Sequence, residues 1–286
     1  MSELRELALD DLGLGVFDVL VVGAGIVGSR VAFDAARAGI RVALVDAGDF
    51  GGATSGASAR LVHGGLRYLQ TGSVRLVRTA LSERNALSSR VAPHLVRPLP
   101  FVLLAAGRQR SKCAAGLLAY AALNGFRRPL PRFVTPEEAA RLVPPLRGED
   151  HSSHAVFHEA ATNDSRLALA TVTAAARSGA VVANYLRAVA LDLAPGKISH
   201  VLLQGSEGTL TVRCRAVVNA TGPWVDSIRR MEDAGCEPIA RLSKGIHVVL
   251  RPDEKWRAAV AVSLDGGRHL YAVPCEDRIL LGTTDE

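Results

Sequence analysis

Val16-Phe-Asp-Val-Leu-Val-Val-Gly-Ala-Gly-Ile-Val-Gly28 is the stretch that decides how this chain is read. Its β-branched and leucyl run predicts a buried parallel strand, which breaks into Gly23, Gly25 and Gly28 in the GxGxxG spacing. Each glycine has its own reason. Gly23 allows a tight turn, Gly25 lets a pyrophosphate approach the backbone without meeting a Cβ, and Gly28 lets the next helix pack close to the strand. Ile26 and Val27 open that helix, whose first N–H groups and positive dipole end favour phosphate. A second apolar strand over 41–45 ends in Asp46, followed by Ala47. Asp46 lies 18 residues past Gly28, close to the spacing of about 20 at which an acid holds a ribose hydroxyl. Strand, glycine turn, helix and acid together make specific a signal that three glycines alone leave weak.

Length and charge narrow the rest. A chain of 286 residues buries a full core and predicts two domains. No run reaches the roughly 18 apolar residues of a membrane helix, and Met1 to Gly15 lacks the apolar core of a signal peptide. Cys113, Cys214, Cys236 and Cys275 are scattered without metal-ligand spacing and fit reduced thiols of the cytoplasm. The net charge of +6 comes from arginines spread along the chain with few aromatics among them. The stacking platform of a nucleic-acid binder is missing, so the charge points to an anionic small substrate or an anionic membrane surface.

Beyond Asp46 the segment 48–67 is crowded with small and hydroxyl residues, Thr54, Ser55 and Ser58 among them, before His63, Arg67 and Tyr68. Such a segment cannot fill a core; it wraps a flat polar ligand with backbone and hydroxyl donors. Residues 73–91 show helical spacing at Val74, Val77, Leu81 and Leu87, and Pro93, Pro98 and Pro100 predict the first exit from the nucleotide-binding domain. Cys113 to Leu123 is apolar with basic flanks. It reads either as a buried helix of a second domain or as a helix lying in a membrane interface. Thr135-Pro136-Glu137-Glu138 is a helix start with a capping box. His151, His154 and His158 sit around a strand-like run that scatters them over both faces, so no metal site is expected.

A small antiparallel meander is predicted over 181–193, 198–204 and 210–213, followed by a separate parallel strand over 216–219. That strand runs into Ala220-Thr221-Gly222-Pro223-Trp224, a second strand-to-glycine turn. Strands are expected over 239–250, 260–264 and 268–273. The chain stops just after an apolar strand and a hydroxyl-rich turn, which reads as a truncation.

These pieces resemble the FAD-dependent, membrane-associated glycerol-3-phosphate dehydrogenases, in family order: residues 21–28, Ala-Thr-Ser-Gly-Ala-Ser-Ala-Arg-Leu-Val-His-Gly-Gly-Leu-Arg-Tyr-Leu over 53–69, Ala-Pro-His-Leu over 92–95, Asn-Asp-Ser-Arg-Leu over 163–167, Asn-Ala-Thr-Gly-Pro-Trp over 219–224, Lys-Gly-Ile-His over 244–247 and Leu-Gly-Thr-Thr-Asp-Glu over 281–286. The His-Gly-Gly-Leu-Arg-Tyr-Leu run is the most specific. The resemblance covers nearly the whole chain, but only the N-terminal and middle part of the family pattern. Where the family reads Ser-Ser-Lys this chain has Ser58-Ala59-Arg60, and Lys-Gly-Ser-His becomes Lys244-Gly245-Ile246-His247. The family's later Gly-Gly-Lys-Leu-Thr-Thr-Tyr segment, with further substrate-binding arginines, is absent.

The resemblance implies an α/β fold. It has a Rossmann-like FAD-binding domain of the glutathione-reductase-like, D-amino-acid-oxidase superfamily over 16–95 and 160–228. A discontinuous substrate or cap domain on an antiparallel sheet covers 96–159 and 229–286. The FAD contacts it implies are Gly23, Gly25, Ile26, Val27, Gly28, Asp46, Ala47, Thr54, Ser55, Ser58, Arg60, Leu61, His63, Gly64, Gly65, Ala220, Thr221, Gly222 and Trp224. The reaction is oxidation of sn-glycerol 3-phosphate to dihydroxyacetone phosphate, with electrons passed to a quinone at the cytoplasmic face of the inner membrane and a homodimer as the candidate assembly. His63, Arg67 and His247 are the candidate catalytic residues: imidazole suits proton transfer and guanidinium suits an anionic substrate or a developing alkoxide. Arg67, Tyr68 and Lys244 are the candidate substrate contacts. Two rivals stand beside this reading, an oxidase of the same fold that passes electrons to oxygen instead of quinone or acts on another hydroxy acid or an amine, and a degenerate or truncated, non-catalytic flavin-fold module.

Overall fold

A computed structural model describes residues 2–69, 71–104, 109–147, 154–194, 197–263 and 269–284. They form two units, Met1–Ser58 with Asp164–Leu242, and Ala59–Asn163 with Ser243–Glu286. The exit therefore falls at Ser58 and the return at Asp164, where the sequence put them at 95 and 160. The reason is pairing. Leu61–Val62 already joins the second unit's sheet opposite Ala161 and Ala160, and the helix Val74–Ala86 buries Val77 and Leu81 in that unit's core. Pro98 and Pro100 do not end an element but lie inside the strand Arg97–Leu104. Both sit in its antiparallel pairing to His154–Ala161, Pro98 opposite Ala160 and Pro100 opposite His158, whereas its ladder to Ala259–Ser263 begins only at Phe101.

The first unit is a six-stranded sheet in the order Val181–Ala183, Val42–Val45, Val16–Val22, Gly208–Asn219, Lys197–Gly205, Arg187–Ala194. The first four strands run parallel and the last two antiparallel. Alternation along the strands feeds two separate cores. Phe17, Leu20, Val22, Ala43 and Val45 pack with Leu12 and Ile228, whereas Val21, Val42 and Leu44 pack with Ala32, Ala36, Val172 and Ala175. Leu12 belongs to a helix over Ser2–Leu14.

Two corrections follow from the sheet. Gly208–Asn219 is one strand, antiparallel to its neighbour up to Arg213 and parallel to the first strand from Arg213 onward. The predicted meander and parallel strand are thus continuous. The run over 181–193 is two strands on opposite edges of the sheet, parted at Asn184-Tyr185, where Tyr185 takes φ 54. Pro195-Gly196, between the predicted runs over 181–193 and 198–204, lies outside the described residues.

The second unit carries an eight-stranded sheet in the order His247–Leu250, Arg278–Gly282, His269–Cys275, Ala259–Ser263, Arg97–Leu104, His154–Ala161, Leu61–Val62, with Arg132–Val134 also paired to His154–Ala161. It is antiparallel except between Ala259–Ser263 and Arg97–Leu104. One face packs Leu99, Phe101, Phe157, Ala261 and Val273 against Val77, Leu81, Leu117 and Tyr120 of two helices. The other packs Val102, Val156, Val260 and Ala272 against Ala139, Val143 and Leu146. Gln109–Leu123 is therefore a helix with a buried stripe at Leu117, Tyr120 and Ala121, although Leu118 is exposed. Thr135 caps the next helix by accepting the N–H of Glu138. Only His247–Leu250 of the expected 239–250 strand is extended into a ladder. Among the described residues no helix is long and apolar enough to cross a membrane.

Candidate active site

Strand order reverses beside Val16–Val22, since the chain leaves it toward Val42–Val45 on one side and meets Gly208–Asn219 on the other. In open α/β sheets this switch point, at the carboxyl ends of the strands, is where ligands bind. Val22 stands level with Asn219, so Gly23 and Ala220 leave the sheet together. The Gly23 N–H donates to the Val45 carbonyl at 2.8 Å, and the Ala220 N–H donates to the Val22 carbonyl at 2.8 Å. Gly23 has φ +102, and a Cβ there would run into the carbonyl of Ala220. A Cβ on Gly28 would strike the Gly23 carbonyl and come within 3.0 Å of the Ala220 Cβ, and one on Gly25 would lie 3.1 Å from the Ser55 Oγ.

Three segments distant in sequence meet here: the glycine turn, the serine-rich wrap and the Ala-Thr-Gly bend. Ser55 Oγ accepts the N–H of Ile26 at 2.9 Å, a donor that the helix Ile26–Arg37 leaves free at its N-terminus. Val27 is exposed on the same first turn. Asp46 accepts the Ala24 N–H at 2.6 Å through one carboxylate oxygen and the Gly48 N–H at 2.8 Å through the other. A carboxylate offers about four acceptor positions, so two stay open for a ribose diol. Ser58 donates to Asp164 at 2.6 Å, which ties the end of the wrap to the start of Asp164–Arg177 rather than leaving its hydroxyl free. Thr54, Ala47, Gly222 and Trp224 are exposed, and Thr221 donates to Asn219 Oδ1 at 2.7 Å. This backbone-lined cradle, closed to any Cβ at two glycines, fits the pyrophosphate of a dinucleotide.

The second unit holds the other candidates. Arg60 takes φ 60 and its carbonyl accepts the Thr162 N–H at 3.0 Å, after which Leu61–Val62 pairs and the chain turns at His63-Gly64-Gly65. Gly65, at φ 77, starts a short 3-10 turn over Leu66–Leu69. That turn lays the Arg67 guanidinium over the Tyr68 ring, 5.5 Å from its centroid, with the His63 ring 6.3 Å from Tyr68. His63 and Arg67 are both exposed.

Gly282 lies between His247 and Tyr271 in one row across three strands. Paired residues share a face, and a Cβ on Gly282 would lie 2.8 Å from the His247 ring. The missing side chain leaves room for that ring, whose Nε2 is buried without a hydrogen-bond partner among the described residues. The turn before it is held to the chain's last described residues, with the Ile246 N–H donating to Thr284 Oγ1 at 3.1 Å, while Lys244 is exposed. Tyr271 was not singled out by sequence. Burial pushes its phenol up, Glu159 and Tyr68 add to this, and the Arg67 charge works against it.

Sequence reading also missed a buried trio, Arg84, Tyr120 and Glu159, whose carboxylate accepts from Gly64 N–H. One sign was visible: Arg84 continues the buried stripe of Val77 and Leu81. Burial, with the Glu159 charge beside it, pushes the Tyr120 phenol up.

His154 and His158 share one strand face, and His151 lies outside the described residues. Burial, then Arg132 and Arg84, hold the His158 imidazole below its ordinary value, and its Nδ1 is buried without a partner among the described residues. The unfolded chain takes up that proton near pH 6.5 and the folded chain only lower, so this contribution favours folding above about 6.5 and is lost as the pH falls. The thermal midpoint is expected to fall between about pH 7 and pH 5, less steeply in His158→Gln, as followed by circular dichroism.

Parallel strands ending in such a cradle, in a chain whose other unit is a mixed sheet, define a dinucleotide-binding oxidoreductase of two-unit α/β architecture. The model of the FAD dependent oxidoreductase (DAO) family matches residues 18–286, and the chain belongs to that family. The glycerol-3-phosphate dehydrogenase of Mycobacterium leprae is 37% identical over 98% of this chain and 49% of that protein. The mitochondrial glycerol-3-phosphate dehydrogenase of Rattus norvegicus is 35% identical over 94% of this chain and 40% of that protein. Among solved structures, the glycerol-3-phosphate dehydrogenase of Bacillus halodurans complexed with FAD superposes with a TM-score of 0.79 at 28% identity, covering 99% of this chain and 50% of that one. Glycine oxidase from Geobacillus kaustophilus gives a TM-score of 0.67 at 25% identity, covering 95% of this chain and 72% of that one. The chain spans about half the length of the glycerol-3-phosphate dehydrogenases it matches, or less.

Proposed function

We propose that the chain supplies the flavin-binding and substrate-oxidising part of an FAD-dependent glycerol-3-phosphate dehydrogenase, converting sn-glycerol 3-phosphate to dihydroxyacetone phosphate. The observation that carries this reading is the presence, within one unit, of an exposed Arg67 stacked on Tyr68 and of a His247 ring seated against Gly282 whose Nε2 has no hydrogen-bond partner among the described residues. One group suits a phosphate or a developing alkoxide, the other a proton.

Gly23, Gly25 and Gly28 with the first turn at Ile26 and Val27 would hold the pyrophosphate of FAD, Asp46 its ribose, and Ser55 and Ala220 to Gly222 the neighbouring backbone. Ala47, Thr54, Ser58 and Trp224 of the same unit, and Arg60, Leu61 and His63 to Gly65 of the second, are the remaining proposed contacts. Bound FAD supplies the two-electron acceptor for the C2 hydride. Arg67 and Lys244 bind the phosphate, and Tyr68 orients a hydroxyl. The C2 hydroxyl proton goes to an imidazole. His247 is the better placed, because a buried ring nitrogen without a partner gains a hydrogen bond when substrate enters; the exposed His63 orients. Electron delivery to a quinone, attachment to an anionic membrane surface and a homodimer complete the proposal.

A flavin spectrum of the purified chain tests it. FAD is expected to bind and to bleach anaerobically with sn-glycerol 3-phosphate but not with glycine. A bound flavin that stays oxidised with glycerol 3-phosphate overturns the reading, and peroxide release in air in place of quinone reduction overturns the quinone part.

A further inference from the structure

The ladder between Leu61–Val62 and Ala160–Ala161 stops one rung before Glu159, and from there a side chain does the work of the backbone. Glu159 Oε2 accepts the Gly64 N–H at 2.8 Å and an Arg84 N–H at 2.7 Å, while Oε1 accepts the Tyr120 O–H at 2.6 Å. Arg84 also donates to the His158 carbonyl at 2.9 Å. Arg84, Glu159 and Tyr120 are 7%, 5% and 3% exposed. A Cβ on Gly64 would run into the Tyr120 hydroxyl and the Leu81 side chain, so the peptide is packed on one side and hydrogen-bonded on the other.

A buried charged pair inside an apolar cluster adds little stability over apolar side chains of equal volume, so stability alone does not account for it. Its distinctive effect is on direction. Gly64 lies next to His63 and, through Gly65, begins the turn that carries Arg67. We infer that Glu159 is a positioning residue for the reaction. Its carboxylate, set by Arg84 and Tyr120, fixes the Gly64 peptide and thereby the directions of His63 and Arg67. This rests on the roles proposed above for those two residues.

Hydrogen–deuterium exchange over residues 61–69 of the purified chain reads the clamp with no cofactor present. Glu159→Gln and Tyr120→Phe are compared with Leu117→Ala, which removes packing from the same core without touching a hydrogen-bonding group of the trio. Exchange in this segment is expected to quicken by about tenfold or more in the first two variants, as for a lost bond to a charged group, and not in the control. In the FAD-loaded chain, bleaching by glycerol 3-phosphate is expected to slow by about tenfold to a hundredfold in Tyr120→Phe at unchanged flavin content. Wild-type exchange in both variants, or an equal local rise in Leu117→Ala, overturns the inference. A wild-type flavin that glycerol 3-phosphate does not bleach overturns the proposed function instead, and leaves the exchange result to decide the clamp. If Glu159→Gln does not fold, Tyr120→Phe carries the same test.

Discussion

Gly23→Ala is expected to yield a chain that no longer retains FAD and melts well below the parent. Gly23 has φ +102, which a residue with a Cβ adopts only under strain, and that Cβ would meet the Ala220 carbonyl where two parallel strands end together. Strain of about 1–3 kcal/mol and overlap of similar size add to roughly 2–6 kcal/mol, or on the order of 5–20 °C in the midpoint of this unit. The loss of flavin exceeds what the midpoint alone explains, because relieving the clash displaces the backbone that would face the pyrophosphate. Calorimetry and flavin content by absorbance check both parts. A Gly23→Ala chain that keeps flavin at the parent's affinity would show that the cradle is not the cofactor's site.

Arg67→Ala is expected to lower kcat/KM for glycerol 3-phosphate by about a hundredfold to a thousandfold while flavin content stays at the parent level. A planar fork makes two charge-assisted hydrogen bonds to an anion, and their loss amounts to roughly 3–4 kcal/mol. The side chain is exposed and stacks on Tyr68, so its removal leaves the core untouched and a fall in stability is not part of the expectation. Arg67→Lys is expected to recover a minor share, since an ammonium keeps the charge and loses the fork. Steady-state kinetics beside a flavin spectrum separate this from a folding defect. Unchanged kinetics in Arg67→Ala would remove Arg67 from the site.

The dinucleotide cradle was legible because its constraints are local. Gly23 and Gly28 occupy places where neighbouring backbone leaves no space for a Cβ, a Cβ on Gly25 would lie 3.1 Å from the Ser55 Oγ, and Asp46 follows at a distance set by one helix and one strand. Short-range sterics of this kind write themselves into consecutive letters. The continuity of Gly208–Asn219 was not legible, because a strand that changes partners halfway carries no mark of the change in its own residues. The domain exit at Ser58 was hidden for a related reason. A two-residue strand at Leu61–Val62 is too short to show a period, and what commits it to the second unit is a partner about a hundred residues later.

Sequence by itself determined the fold class and the glycine turn with its acid, and it put forward His63, Arg67, Tyr68, Lys244 and His247 as candidates. Only the tertiary structure decided that Gly282 opens a gap between His247 and Tyr271, and that Glu159 holds Gly64 with Arg84 and Tyr120 around it. The division follows from the range of the forces. Backbone conformation and steric exclusion act over a few residues and leave a spacing, whereas a buried carboxylate finds its partners through pairing across strands and packing between helices, at separations that no local pattern encodes.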